Sequence, residues 1–176
     1  MSDMAVITRA DARGMITLRG DLGSAKMKKA VKAATDQAIP TSGQFLGNGD
    51  KGVAWMSPDE LLLIVPYDGV AQAIEVLEQA LVKTHFLAVD VSDARATFTV
   101  SGDGTRDVLA RLCPVDLHPD SFGTGQVRRT RLAQIAAAFW MHDAGFDVVC
   151  FRSVADYAEG VLTRAATTGE KTGFFA

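Results

Sequence analysis

Apolar and polar residues alternate with two different periods in the first part of the chain, which predicts strands and amphipathic helices. Residues 14–21 form a short strand pattern that stops at Gly20 and Asp21. After residue 24, lysines occupy one helical face, and the other face holds the apolar residues that recur at helical spacing, which are Met27, Ala30, Val31 and Ala34. The first predicted elements are therefore a strand, a tight turn and a helix.

A loop, two strands and a second helix are predicted next. Residues 40–51 are rich in Gly, Ser, Asn and Thr, which is typical of a loop or an irregular hairpin tip. The apolar runs 53–56 and 61–65 are strand patterns joined by a Ser-Pro-Asp turn. Asp68 is predicted to cap a helix with one apolar stripe, formed by Val70, Ala73, Ile74, Leu77 and Leu81.

The second part of the chain repeats this order. Residues 85–92 form a candidate linking strand, and residues 96–100 alternate as a half-buried strand does before a Gly-Asp pair at Gly102. A helix pattern follows, and then a strand at 146–151 precedes a last helix at 153–162. The two parts therefore share their sequence of elements.

Corresponding positions in the two parts are separated by a nearly constant number of residues. The two glycines that end the matching strands are 82 residues apart, while Trp55 and Trp140, like Asp68 and Ser153, are 85 residues apart. Self-similarity at a fixed offset indicates an internal duplication. We therefore expect Trp55 to match Trp140 and Asp68 to match Ser153.

These patterns predict an α+β fold with an internal duplication. We expect a single domain over residues 1–176, with similar halves at about 14–84 and 85–168. Each half should be strand, helix, strands, helix, with both helices on one side of an antiparallel sheet. The halves should pack with pseudo-two-fold symmetry and without a flexible linker.

Composition narrows the function classes. The 176 residues are 48% hydrophobic, enough to fill a core, and 18 basic against 21 acidic residues give a formal net charge of -3. A negative chain is a poor nucleic-acid binder. Charges near the N-terminus argue against a signal peptide, and the longest apolar runs are too short to span a bilayer. A cytoplasmic protein without a membrane partner is predicted.

Sequence motifs for catalysis, cofactors or metals are weak or missing. The loop 101–105 lacks the third glycine of a dinucleotide fingerprint and the lysine of a P-loop, so we interpret it as a turn with a positive-φ glycine and a helix cap at Asp103 or Thr105. The other candidates are isolated in sequence and lack ligand or nucleophile spacing: His85, His118, His142, Cys113 and Cys150. We expect buried reduced thiols and assign no catalytic, cofactor or metal residue.

Two stretches are candidates for a partner interface. Both combine aromatic or arginine side chains with turn residues, and such side chains are enriched at interface centres. The basic run 128–131 fits either a solvated hairpin strand or a contact with an acidic partner, and Trp55 fits either an interface or the core. The predicted interface residues are Trp55, Pro58, Asp59, Glu60, Phe122, Arg128, Arg129 and Arg131.

Three blocks of the sequence resemble a known family. Residues 55–63 resemble the W-L-G-P-D-E-W-L-L signature of sarcosine oxidase gamma subunits, with Ser57 and Leu61 as departures. Residues 152–157 are similar to the R-S-F-A-x-Y of the same family. A middle block is similar in residues 90–95, Gly102, Leu109, Cys113, Pro114, Asp116, Leu117, Phe122, Gly125 and 129–132. The blocks follow the family order from about residue 18 to 162.

The resemblance implies both a fold and a role. The fold is that of the folate-binding domain of aminomethyltransferases, a duplicated and strand-swapped α+β unit. The implied role is a non-catalytic subunit of the heterotetramer that oxidatively demethylates sarcosine to glycine with oxygen, yields hydrogen peroxide and passes the one-carbon unit to tetrahydrofolate. The implied partners are alpha and beta subunits, which carry the flavins, NAD and folate, and a zinc-bearing delta subunit. The family's gamma subunit carries no cofactor.

Two alternatives remain at the sequence level. The related fold also permits a stand-alone folate-binding or aminomethyltransferase-like protein, since one fold hosts many functions. Against it, the chain has no stretch like the K-G-C-Y-x-G-Q motif of the stand-alone iron-sulfur repair relatives. The second alternative is a nucleic-acid binder that uses the basic run 128–131.

Overall fold

The structure, a computed structural model, describes residues 3–48, 50–168 and 170–175. Single 3-10 turns precede α2, β7 and α4, at Tyr67–Gly69, Ser92–Ala94 and Arg152–Val154. The strands and helices of the described residues are, in chain order, β1 (Val6–Arg9), β2 (Gly14–Gly20), α1 (Ala25–Thr35), β3 (Phe45–Asn48), β4 (Lys51–Ser57), β5 (Glu60–Val65), α2 (Val70–Ala80), β6 (Phe86–Asp90), β7 (Arg95–Ser101), α3 (Thr105–Leu112), β8 (Val127–Leu132), β9 (Ile135–His142), β10 (Gly145–Phe151) and α4 (Ala155–Thr167).

The chain forms two compact units, of which one is contiguous and spans residues 12–93. Its antiparallel sheet has the strand order β3-β4-β5-β2-β6. Alternate strand residues point to one face of a sheet, where the apolar stripes of α1 and α2 cover them. The fully buried members of this core are Ile16, Leu18, Met27, Ala30, Val31, Val53, Leu61, Leu63, Leu77 and Leu81.

The second unit is split in sequence, because it combines the residues up to Asp11 with those from Ala94 onward. Its antiparallel sheet has the order β1-β7-β10-β9-β8. Helices α3 and α4 contribute to one core cluster with one face of this sheet. The fully buried members of that cluster are Phe98, Val100, Val108, Leu109, Phe122, Leu132, Phe139, Phe146, Val148, Ala158 and Leu162.

The two sheets have the same topology, which confirms the duplicated α+β fold. If β2, β3, β4 and β5 are matched to β7, β8, β9 and β10, the two strand orders become the same, and α1 and α2 match α3 and α4. The edge position beside the first strand is filled by β6 in one sheet and by β1 in the other. Each of these edge strands thus precedes one half in sequence and pairs with the first strand of the other half.

This exchange of edge strands moves the boundary between the halves. Sequence analysis placed residues 85–92 in the second half, but β6 pairs with β2 and lies in the contiguous unit, which ends at Asp93. Residues up to Asp11 belong instead with the second half, because β1 pairs with β7. The hydrophobic pattern of a strand does not reveal which of two similar strands it will pair with.

The expected match of Trp55 with Trp140 is wrong by one residue. Trp55 pairs with Leu61, and the corresponding pair in the other sheet joins Met141 to Phe146. A bulge between Trp55 and Ser57 adds one residue to β4 and shifts the register. Because neighbouring strand residues point to opposite faces, Trp55 packs against its core cluster, while Trp140 is buried on the other face of its sheet.

The predicted helix caps are partly wrong. Asp68 and Ser153 do occupy matching positions, each at the centre of the 3-10 turn before a helix. Neither α2 nor α3, however, has a side-chain cap hydrogen bond, and their N-cap residues are Gly69 and Gly104. Asp68 therefore does not cap α2, and neither Asp103 nor Thr105 caps α3.

Candidate functional site

The glycine-containing loop before α3 is a packed turn. Gly102 has φ +106, as predicted for a turn glycine. The N–H of Gly104 donates a hydrogen bond of 2.9 Å to the carbonyl of Met4, and a Cβ at position 104 would lie 2.6 Å from that oxygen. The backbone of Met4 thus occupies the side of the loop at which a phosphate would have to approach.

The three histidines lie in separate parts of the fold. Two of them face a carboxylate: Nδ1 of His118 lies 3.5 Å from Asp120, and Nε2 of His142 lies 3.6 Å from Asp147. Within residues 3–48, 50–168 and 170–175, no three His, Cys, Asp or Glu side chains are grouped so that they could hold a metal ion. Nor is any helix among these residues long and apolar enough to cross a membrane.

Both cysteines are free and buried, which confirms the expectation of buried thiols. Burial disfavours the charged thiolate, and this raises the pKa of Cys113 to about 12 and also raises the pKa of Cys150. Since the thiolate is the reactive form, neither side chain is suited to act as a nucleophile at neutral pH.

Both cysteines are therefore expected to resist thiol reagents in the folded protein. Ellman's reagent at pH 8 should label less than about a tenth of the thiols in an hour without denaturant, because both the raised pKa and burial oppose attack. In 6 M guanidinium both thiols should react within minutes. Rapid labelling of either cysteine in the folded protein would contradict this prediction.

Four of the predicted interface residues lie near the end of β4, in the following turn and at the start of β5. Two of them, Asp59 and Glu60, face a single arginine, since Nη2 of Arg19 lies 3.1 Å from Asp59 and 3.7 Å from Glu60. The hydroxyl of Ser57 donates to Asp59 at 2.6 Å, and this bond, together with the charge of Arg19, lowers the pKa of Asp59. The two carboxylates therefore hold the turn to β2.

The other two of these four residues, Trp55 near the end of β4 and Pro58 in the turn, line a pocket of about 550 Å³ in the contiguous unit. Trp55 is half-buried, so its contacts with the core leave part of the ring exposed, and Pro58 is exposed. The remaining walls come from the loop before α1, from α1 and from the segment that follows it: Leu22, Gly23, Lys28, Lys32, Ala38, Ile39, Pro40 and Thr41.

The predicted arginines lie on β8, at the edge of the other sheet. Arg128, Arg129 and Arg131 are exposed. Alternation along the strand places Arg128 on the face that carries the core cluster, where its guanidinium lies 5.8 Å from the centre of the Phe122 ring. Arg129 and Arg131 lie on the opposite face, so the basic run is divided between two surfaces.

Phe122, which was predicted to lie at the interface, is a core residue instead. Its side chain is 0% exposed and packs against the rings of Phe139 and Phe146, at centroid distances of 5.4 and 6.1 Å. The sequence around Phe122 contains no signal that distinguishes a buried aromatic residue from one at an interface.

Arg106 in the first turn of α3 is a positioning residue that sequence analysis missed. Its guanidinium donates to the carbonyl oxygens of Leu117 at 2.6 Å and Phe122 at 2.8 Å, and it contacts Sδ of Met141 at 3.1 Å. Partial burial lowers its pKa below the ordinary value. These bonds hold the long connection between α3 and β8, and no local motif marks an arginine whose partners are distant carbonyls.

Comparison with known proteins identifies relatives over most of the chain. The family model described as "Sarcosine oxidase, gamma subunit family" matches residues 19–168. Sarcosine oxidase subunit gamma of an Arthrobacter species is 33% identical over 72% of this chain and 61% of its own length. The subunit gamma of Corynebacterium sp. strain P-1 is 34% identical over the same shares. The chain thus aligns with 61% of the length of each of these relatives.

Two solved structures extend the comparison to the fold. A chain of the heterotetrameric sarcosine oxidase from Corynebacterium sp. U-96, in complex with pyrrole 2-carboxylate, matches with a TM-score of 0.84 and 25% identity, over 100% of this chain and 88% of that one. The glycine cleavage system aminomethyltransferase T from Bartonella henselae matches with a TM-score of 0.66 and 14% identity, over 91% of this chain and 45% of the other. The second match shows a shared fold alone.

Proposed function

Because this chain belongs to the sarcosine oxidase gamma subunit family, we propose that it is an accessory subunit of a heterotetrameric sarcosine oxidase. The observation that carries the proposal is the TM-score of 0.84 over the whole chain to a chain of such a heterotetramer. The proposed complex oxidatively demethylates sarcosine to glycine and passes the one-carbon unit to tetrahydrofolate. Its proposed location is the cytoplasm.

The proposed role of this chain within the complex is structural. Support comes from the chemistry of its own side chains: the glycine loop is filled by Met4, and burial keeps the cysteines protonated. Flavins, NAD and folate are assigned to the alpha and beta subunits, and the delta subunit completes the assembly. This chain would then act by holding larger subunits in position.

Arg129 and Arg131 are the proposed contact residues on β8. Both are exposed at a sheet edge, where a partner has access to the strand and to two positive charges. Arg128 contributes less in this proposal, because it lies over Phe122 on the other face of the strand. On β4 and the following turn, Trp55 and Pro58 remain candidates, while Asp59 and Glu60 face Arg19.

The test of the proposed function is co-purification from cells that express this chain with alpha, beta and tagged delta subunits. The wild-type chain should be recovered in equal amount with its partners, and the complex should oxidise sarcosine. The double change Arg129→Glu and Arg131→Glu should lower recovery of the chain at least fivefold, because it replaces two positive charges by negative ones at the proposed contact.

The matched control is Arg164→Glu, an exposed arginine on α4 outside the proposed contact. It should leave recovery unchanged, and circular dichroism should show that all variants are folded. Unchanged recovery of the β8 variant would remove these arginines from the interface. No recovery of the wild-type chain, together with saturable folate binding by the isolated protein, would favour a stand-alone folate-binding protein instead.

A further inference from the structure

The pocket beside Trp55 combines an apolar floor with a basic rim. The floor, which is the buried and half-buried part of the lining, includes Trp55, Ile39 and Pro40, and the rim, which is the exposed part, includes Lys28 and Lys32 of α1. These lysines are four residues apart, so they lie one above the other on the same side of the helix. A ligand in this pocket would meet apolar surface and two positive charges together.

The charge of α1 is unusual for a helix that serves packing alone. The helix contains four lysines and no acidic residue, although the whole chain has a net charge of -3. Two of the lysines, Lys26 and Lys28, lie in the first turn, where the helix dipole favours negative charge. Lys32, in contrast, lies in the last turn, where the dipole favours positive charge. Helix stability therefore accounts for Lys32 but not for Lys28, whereas attraction of a negatively charged partner accounts for both.

Nearby carboxylates compensate the charge of the rim only in part: the pKa of Asp36 is lowered mainly by its hydrogen bond and ion pair with Lys51, and only to a smaller extent by the charge of Lys32. Asp36 pairs with Lys51 at 2.5 Å, Asp59 pairs with Arg19, and the carboxylate of Asp21 accepts a hydrogen bond from the N–H of Gly23. The ammonium group of Lys32 donates to the backbone carbonyl of Asp36, a neutral acceptor. Among the described residues, no carboxylate lies within ion-pairing distance of Lys28 or Lys32.

The exposure of the lining indicates the kind of occupant. Pockets for small molecules bury most of the ligand surface. Here only Pro40 of the lining is buried, whereas Gly23, Lys28, Lys32 and Pro58 are exposed, so an occupant would be covered on one side. That geometry suits an anchor side chain whose other side is covered by the protein that carries it, and a tryptophan at the floor is typical of interface centres.

We propose that this pocket receives an acidic segment of a partner subunit, which places one apolar side chain beside Trp55 and its carboxylates on Lys28 and Lys32. The inference rests on the proposed function, because it requires a hetero-oligomeric partner, and it adds the chemistry that the partner must present. The contact lies in the contiguous unit and is independent of the arginines on β8.

The test compares lysine reactivity in the free chain and in the complex co-expressed with alpha, beta and delta subunits. Both samples are treated with sulfosuccinimidyl acetate, and acetylation at each lysine is measured by mass spectrometry. Lys28 and Lys32 should react at least fivefold more slowly in the complex. Lys29 is the internal control, because it is exposed on the same helix but does not line the pocket, and its reactivity should not change.

A charge-reversal variant gives a second readout. Lys28→Glu combined with Lys32→Glu should lower recovery of the chain with its partners about tenfold, whereas Lys29→Glu should leave recovery unchanged. Since all three residues are exposed on a helix, these variants are expected to fold.

The outcomes separate this inference from the proposed function. A complex that forms normally while Lys28 and Lys32 stay as reactive as in the free chain would overturn the docking site and leave the subunit role intact. Failure to recover any complex would remove both proposals. Protection of the two lysines in the concentrated free chain would identify a second copy as the occupant and overturn the partner segment.

Discussion

Replacing Gly145 by alanine is expected to destabilise the protein by about 3 kcal/mol or more. Gly145 begins β10 with φ +141, a conformation that side chains rarely adopt, and a Cβ there would lie 2.1 Å from the carbonyl oxygen of Val100. That oxygen belongs to the backbone of the neighbouring strand β7, so it cannot move without disturbing the sheet. Urea denaturation should report the loss as a lower midpoint at unchanged slope.

Gly160 provides the matched control. It lies exposed within α4, and a Cβ at this position would meet no atom within 4 Å. Alanine loses less backbone entropy than glycine when a helix forms, so Gly160→Ala should stabilise the protein by about 0.5–1 kcal/mol. The same substitution should therefore have opposite signs at the two sites. A Gly145→Ala protein as stable as the wild type would contradict the sheet geometry around residue 145.

Replacing Arg106 by methionine should cost about 3 kcal/mol. Methionine, like the aliphatic part of arginine, is unbranched and apolar, but it cannot form the two charge-assisted hydrogen bonds, each with a typical contribution of about 1.5–3 kcal/mol. It also leaves the carbonyls of Leu117 and Phe122 without this donor. Hydrogen exchange should increase first in residues 113–126, because Arg106 ties this connection to α3, and urea denaturation should show the overall loss.

Two further variants show whether the loss of stability comes from the paired N–H donors of the guanidinium group. Arg106→Lys should recover part of the lost stability, since a single ammonium group cannot reproduce the planar set of donors. Arg164→Met on α4 should change stability by less than about 1 kcal/mol, the usual range for a charge in the last turn of a helix. If Arg106→Met raised exchange evenly over the whole chain, its role as a local tie would be wrong.

The features of the fold that could be predicted from the sequence are those marked by residues that recur at a regular spacing. The stripe of Met27, Ala30 and Val31 and the constant offset between the two parts led to two matching α+β halves, which the sheets confirm. The family resemblance, carried by ordered blocks such as residues 55–63, is confirmed as well. Both signals depend on many positions at once, so single exceptions did not obscure them.

Other features depended on contacts that leave no local pattern. The bulge after Trp55 shifts the register by one residue, so Trp55 and Trp140 lie on opposite faces of their sheets. A shift of one residue cannot be recognised from the sequence when the lengths of the matching strands differ. The lysines of α1 were correctly predicted on the exposed face of the helix. Their proximity to Trp55 could not be predicted, because it depends on the tertiary packing of α1 beside β4 and the following turn. The partners of Arg106 are backbone carbonyls, which every sequence contains.

The exchanged edge strands impose an order of events during synthesis. The contiguous unit has all its strands once residue 93 has left the ribosome. Strand β1 emerges before it, yet its pairing partner Ser101 and the rest of β7 do not exist until later. At about 5–20 residues per second, β1 waits on the order of ten seconds without a partner. The first strand to be made thus gains its partner only after the contiguous unit has all its strands, and residues 6–9 must stay accessible while that unit folds.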